Sequence, residues 1–211
     1  MINFFISGGP FMYPILVGSI AALAIFIERF FVLQVRFSLN HRAFLARIMG
    51  YIRDRNYNQA ISLCEGKANH PLVKVLKAGI IKANKSKRDI AASMEEETVR
   101  QIPIVEKRVG YLAVIGNIST LVGLLGTIFG LIAAFEAVGL ASAADKQKAL
   151  ADGISEAMAT TAFGLIVAIP CMFAHYFLSN KANDIVDAMD ESALALTNQI
   201  GSDGKQINKA A

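Results

Sequence analysis

Apolar and polar positions divide the chain into three long apolar runs separated by polar segments. The first run spans residues 11–35 (FMYPILVGSIAALAIFIERFFVLQV) and carries no charge before Glu28 and Arg29. The second spans residues 109–139 and carries none before Glu136. The third spans residues 157–178, with Glu156 at its entrance and Pro170 inside. About 20 predominantly apolar residues suffice to cross about 30 Å of hydrocarbon as a helix, so each run predicts a transmembrane helix. At about 1.5 Å per residue the second is longer than the bilayer is thick, and it must tilt or project beyond it.

The polar segment 36–108 reads as helical throughout. Phe44, Ile48, Tyr51 and Ile52 form one stripe of a helix over 41–55. Shorter helices over 58–65 and 71–82 follow, separated by a breaker at Gly66–Pro71. Ser86 and Asp89 have capping-box spacing, and Ile90, Met94, Thr98, Ile102, Val105 and Val109 continue the helical rhythm. No loop signal intervenes before the second apolar run. The pattern therefore predicts one continuous helix from Ser86 to Val138, kinked near Pro103. The expected architecture is an all-α membrane protein with three transmembrane helices, the second and third extended into a helical cytoplasmic domain.

Composition agrees: 54% of the 211 residues are hydrophobic and 18% charged, against about 45–50% and about 25% in soluble domains. Charge placement sets the expected orientation. Residues 36–108 hold fifteen of the 21 basic residues, whereas the segment between the second and third spans holds two, Lys146 and Lys148. Basic short loops stay on the cytoplasmic side. This predicts a periplasmic N-terminus (1–10), a cytoplasmic domain (36–108), a periplasmic loop (140–156) and a cytoplasmic C-terminal tail (179–211) whose end, SDGKQINKAA, frays. Residues 1–10 contain no lysine or arginine and no small-residue cleavage site ends the first run, so this span is expected to be retained. The basic residues are interleaved with acidic ones and lack aromatic stacking platforms, which argues against nucleic acid as a partner.

No enzyme constellation emerges. His41, His70 and His175 are scattered, and Cys64 with His70 has no second ligand pair for zinc. Gly123, Gly126 and Gly130 lack the lysine of a phosphate loop. The expectation is a protein without enzymatic activity, metal or cofactor.

The informative pattern is two seams of small residues. In the second span Gly116, Thr120, Gly123, Thr127, Gly130, Ala134 and Ala137 recur in steps of three and four. In the third, Ala157, Thr161, Gly164, Ala168, Cys171 and His175 do the same. Such faces let helix backbones approach closely. Hydroxyls and a carboxylate at membrane depth are costly unless paired or facing a wet or protein-filled interior, which singles out Thr127, Thr161 and Glu156, with Thr160 beside them.

These blocks resemble the MotA/TolQ/ExbB proton-channel subunits, most nearly the three-span ExbB/TolQ type. GGPFMYPIL with SIAALAIFIERF is similar to the family's opening span and its Glu–Arg pair, Glu28–Arg29. LVGLLGTIFGLIAAF resembles the family's Gly-Leu-Leu-Gly-Thr block, and GISEAMATTAFGLIVAIP its third-span block. The chain departs at Thr120, where many relatives have proline, and at His175–Tyr176, where a Tyr–Asn pair is common. The resemblance implies a homopentamer in the bacterial inner membrane, enclosing two copies of a single-span ExbD/TolR-type protein whose aspartate carries the proton. It further implies mechanical output to a TonB/TolA-type protein spanning the periplasm. Thr127 and Thr161, with Thr160, take the pore-lining positions, and Glu156 the position near the periplasmic end. The competing expectation is a non-conducting membrane scaffold in which the seams only pack subunits together.

Overall fold

The computed structural model describes residues 9–140, 142 and 145–210. Residues 1–8, most of the expected periplasmic N-terminus, lie outside them, as do Ala141, Ala143 and Ala144 of the expected loop and Ala211. Seven α-helices are described: α1 (Met12–Phe31), α2 (His41–Arg53), α3 (Tyr57–Glu65), α4 (Pro71–Ile81), α5 (Lys87–Val105), α6 (Val109–Leu140) and α7 (Lys146–Ala210). A π-helical segment, Val32–Arg36, extends α1. Three helices are long and apolar enough to cross a membrane. The chain divides into two compact units, one of residues 1–29 and 108–177, the other of residues 30–107 and 178–211.

The first unit is the apolar one. α6 and α7 pack through small residues, and α1 adds Met12, Ile15 and Ala22 to the buried set. A Cβ on Gly18 of α1 would meet the Ile115 side chain of α6 at 3.5 Å, and the rings of Phe11 and Phe129 stack at 5.3 Å. Most large side chains of α6, from Tyr111 to Phe135, point outward. An apolar exterior around a small-residue interior is the pattern expected where lipid or other membrane helices, rather than water, surround the helices.

The second unit is a conventional helical core. Phe44, Ile48 and Ile52 of α2, Leu72, Val75 and Leu76 of α4, Ile90 and Met94 of α5, and Met189, Leu196 and Ile200 of α7 form one buried cluster. Caps fix the helix starts. The Asn40 and Asn56 side chains accept from Ala43 and Gln59 N–H at 3.1 and 3.3 Å, and Pro71 sits in the first turn of α4, where its missing N–H costs nothing. The capping box read at Ser86 is present: the Asp89 N–H donates to Ser86 Oγ at 3.2 Å and the hydroxyl donates to the Asp89 carboxylate at 2.7 Å. Ser93 donates to the Ala78 carbonyl at 3.1 Å, and Lys87 to the Asn198 amide oxygen at 2.9 Å.

Two sequence expectations are corrected. The helix expected to run unbroken from Ser86 to Val138 stops at Val105 and restarts at Val109. The break falls at Arg108, whose φ of +60° leaves the helical region. There the guanidinium donates to the Glu28 carboxylate at 2.6 Å. Secondly, residues 146–156, expected as part of a loop, are helix; with the expected extension of the third helix beyond its apolar run, α7 is 65 residues long. Its C-terminal half keeps the helical rhythm of apolar residues at Ala182, Ile185, Met189 and Leu196, all buried in the second unit.

Candidate functional site: a small-residue seam and its hydroxyl edge

Two helices can touch along their backbones only where no side chain stands between them. On α6 the buried line is Leu112, Gly116, Ser119, Gly123, Gly126, Gly130 and Ala134. On α7 it is Gly164, with Ala157, Thr160, Val167, Ala168 and Cys171. Contacts are backbone-close. A Cβ on Gly164 would lie 2.6 Å from the Ser119 carbonyl oxygen and 3.2 Å from the Gly123 Cα. One on Gly123 would lie 3.3 Å from the Thr161 Cα, one on Gly130 3.0 Å from the Ala157 Cβ, and one on Gly116 3.3 Å from the Cys171 Cβ. Beyond the expected start of the third span, Gly153 meets Ala134, so the seam is longer than the apolar run.

Gly116, Gly123, Gly130, Ala157, Gly164 and Ala168 therefore all lie in the seam. Thr120 does not. It is exposed on the flank, and its hydroxyl donates to the Gly116 carbonyl at 3.2 Å. The steps of three and four admit two neighbouring stripes of small residues on α6, and packing uses the one through Ser119 and Gly126, which sequence reading passed over.

The hydroxyls separate in the same way. Thr160, expected beside the pore threonines, is only 1% exposed and packs against Gly126, with its hydroxyl on the Glu156 carbonyl at 3.0 Å. It belongs to the interior of the seam, because a methyl and a hydroxyl fill the space that the missing Gly126 side chain leaves. Thr161, the next residue, is half-buried at the seam's edge and donates across it to the Gly123 carbonyl at 2.9 Å. Thr127 stands one turn along α6 from Gly123 and donates to the Leu124 carbonyl of its own helix at 2.6 Å. The two threonines thus share one edge of the α6–α7 pair, within about one helical turn of each other.

At one end of this seam Glu156 and Asp152 line a polar recess of about 550 Å³ with Gly130, Ala134 and Gly153. Asp152 was not singled out from the sequence. Its signal was the i, i+4 spacing from Glu156, visible only once residues 146–156 are known to be helical. No carboxylate lies among the α6 and α7 residues between Tyr111 and Phe135 or between Ala157 and Phe177.

Comparisons with known proteins agree with this architecture. Residues 67–191 match the MotA/TolQ/ExbB proton channel family. An ExbB-like biopolymer transport protein of Synechocystis is 30% identical over 176 residues, 82% of each chain. The Tol-Pal system protein TolQ of Haemophilus influenzae is 42% identical over 86 residues, 41% of this chain and 37% of that one. The structure of C. jejuni MotAB shares the fold, with a TM-score of 0.64 at 21% identity over 96% of this chain and 78% of that one. With a match over more than half its length and three membrane-spanning helices, the chain belongs to the MotA/TolQ/ExbB proton channel family.

Proposed function

We propose that this chain is the channel and stator subunit of an inner-membrane motor driven by the proton-motive force. Five copies surround two copies of a single-span ExbD/TolR-type protein, and proton flow is coupled to mechanical work on a TonB/TolA-type protein across the periplasm. Proton is the transported ion and no cofactor takes part. The chain lies with its N-terminus periplasmic and its second unit cytoplasmic, as its basic residues favour.

The observation that carries the reading is the edge formed by Thr127 and Thr161. It presents hydroxyls at membrane depth, beside a seam packed largely backbone to backbone, on helices with no carboxylate of their own at that depth. A hydroxyl can turn from its present carbonyl acceptor to a carboxylate or carboxylic acid brought by a partner helix. A wall of glycine, alanine and threonine offers no large side chain to lock a turning helix in place. In this reading Glu156 and Asp152, which line the recess at the end of the seam, collect protons from the periplasmic side.

A second reading has its own support. Both hydroxyls are already satisfied within the chain, as expected of a scaffold that conducts nothing. Reconstituting the chain with its single-span partner in liposomes separates the two. Thr161→Val is expected to leave assembly intact and to abolish proton flux under an applied potential. Flux absent from the wild-type complex would favour the scaffold, and unchanged flux in the variant would take Thr161 out of the proton path.

A further inference from the structure

At the end of the α6–α7 seam that carries Glu156, the residues just before α1 lie against its carboxylate. Gly9 has a φ of +70°, in the left-handed region where a Cβ is unfavourable. A Cβ built there would overlap Glu156 Oε1 and stand 3.3 Å from its Cδ and 3.7 Å from its Cγ. The nearest atoms to such a Cβ all belong to Glu156. Glycine is thus required at this position twice, once by its own backbone and once by a side chain of α7.

Both sides of the contact are anchored from elsewhere within the first unit. After Gly9 the chain turns, with the Met12 N–H donating to the Gly9 carbonyl at 3.3 Å. The Phe11 ring stacks on Phe129 of α6, and Met12 is fully buried. On α7, Ala157 packs against Gly130 and Thr160 against Gly126, which fixes the helical turn from which Glu156 projects. The movable part is the half-buried Glu156 side chain itself, and the same residue lines the recess it shares with Asp152. Any atom added at residue 9 therefore displaces the carboxylate before it displaces either backbone.

We propose that Gly9 is a positioning residue for Glu156: the turn before α1 is the stop against which the carboxylate rests, and a side chain at residue 9 drives it out of its place at the recess. The inference rests on the role proposed above for Glu156 in collecting protons. Gly9 handles no proton and acts through Glu156.

The test measures proton flux in liposomes holding the chain with its single-span partner. Gly9→Ala is expected to leave assembly intact and to lower flux about tenfold, within the loss that a misplacement of about 1 Å can produce. Adding Glu156→Asp to Gly9→Ala shortens the side chain by one methylene, withdraws it from the new methyl group and should recover most of the lost flux. A role confined to backbone conformation would not be rescued, since residue 156 does not alter the φ at residue 9. Proximity is read separately, without flux. Gly9→Cys with Glu156→Cys should form a disulfide within the chain on mild oxidation of the assembled complex, and the native thiols of Cys64 and Cys171 are buried away from the oxidant. Unchanged flux in Gly9→Ala, failure of that variant to assemble, absence of rescue, or absence of the disulfide would each overturn the positioning role and leave the proton path standing. Flux absent from the wild-type complex would instead overturn the reading of Glu156 as a proton-collecting group, and the positioning role with it.

Discussion

The two units solve the same problem, holding long helices together, with opposite materials. In the second unit Ile48, Leu72, Leu76, Met94 and Met189 interdigitate as large, fully buried side chains. In the first, the α6–α7 contact has almost no side chain in it: Gly116, Gly123, Gly126, Gly130 and Gly164 bring backbone against backbone. The difference follows from solvent. In water, burying aliphatic surface contributes about 25 cal/mol per Å², so large residues are gathered inside. In lipid that gain vanishes, and close approach, dispersion contacts and hydrogen bonds such as Thr161 to Gly123 remain. α7 uses both materials along one helix, Gly164 in its first half and Met189 and Leu196 in its second.

The comparison predicts opposite sensitivities, and the largest effect belongs to the second unit. Leu72 is fully buried in the core. Leu72→Ala removes buried methyl and methylene groups and leaves a cavity, at an expected cost of about 2–5 kcal/mol. Hydrogen exchange on the full chain should show faster opening of α4 and α5 amides, with α6 amides near wild type. Equal loss in α6 would mean that the units do not behave as separate cores.

In the first unit, adding atoms should hurt where in the second removing them does. A Cβ on Gly164 falls 2.6 Å from a backbone oxygen, and backbone yields only if the helices part. Overpacking of this kind costs roughly 1–3 kcal/mol. Gly164→Ala should therefore unfold at lower SDS fraction in mixed micelles than wild type. It should also lengthen the Thr161–Gly123 hydrogen bond, and so disturb the hydroxyl edge without touching either threonine. Wild-type unfolding in that variant would show that the seam is looser than its distances imply.

Sequence alone reached the three spans, the capped start of α5 and the small-residue character of the seam, because hydropathy, Ser86–Asp89 spacing and residue size are local properties. It did not reach the choice between Thr120 and Ser119, or between Thr160 and Thr161. Adjacent small residues look alike until a neighbouring helix selects one stripe, and that selection is tertiary. The break at Arg108 was hidden for a similar reason. The positive φ of +60° falls on Arg108 and not on a glycine, and it is held with a guanidinium that reaches Glu28, 80 residues away. The extension of the third helix was legible in the rhythm of Ala182, Ile185, Met189 and Leu196, whereas the helical start over 146–156 was masked by its polar composition.

A smaller, pH-dependent effect separates the units again. Burial lowers the pKa of His70 below its ordinary 6.5, outweighing the Phe37 hydrogen bond that raises it, with Lys67 lowering it further. His41, Lys181, Asp184, Asp187 and Glu191 line the same cavity of the second unit as His70. Since the folded state binds this proton less readily than the unfolded chain, the contribution of His70 is fully present above pH 6.5. It is lost as pH falls below 6.5 toward the folded value. Protection of α4 amides should thus weaken from pH 7.5 to pH 5.5, by at most about 1.4 kcal/mol per pH unit from one group. His70→Gln, which keeps a donor for the Phe37 carbonyl, should flatten that dependence. A slope unchanged in the variant would assign it to the carboxylates instead.

The smallest expected effect is the control that decides what the glycines of α6 are for. Gly110 lies on the same helix as Gly116 and Gly123, yet a Cβ there meets nothing within 4 Å. With no contact to violate, Gly110→Ala exchanges a flexible residue for a good helix former, and should stabilise α6 by roughly 0.5–1 kcal/mol. The same SDS titration would then move in opposite directions for Gly110→Ala and Gly164→Ala. Opposite signs would mean that close approach is the reason for glycine in the seam. If both variants lost stability equally, flexibility of the glycine-rich helices themselves would be the property that matters, and the wall beside Thr127 and Thr161 would have to be read as one that bends.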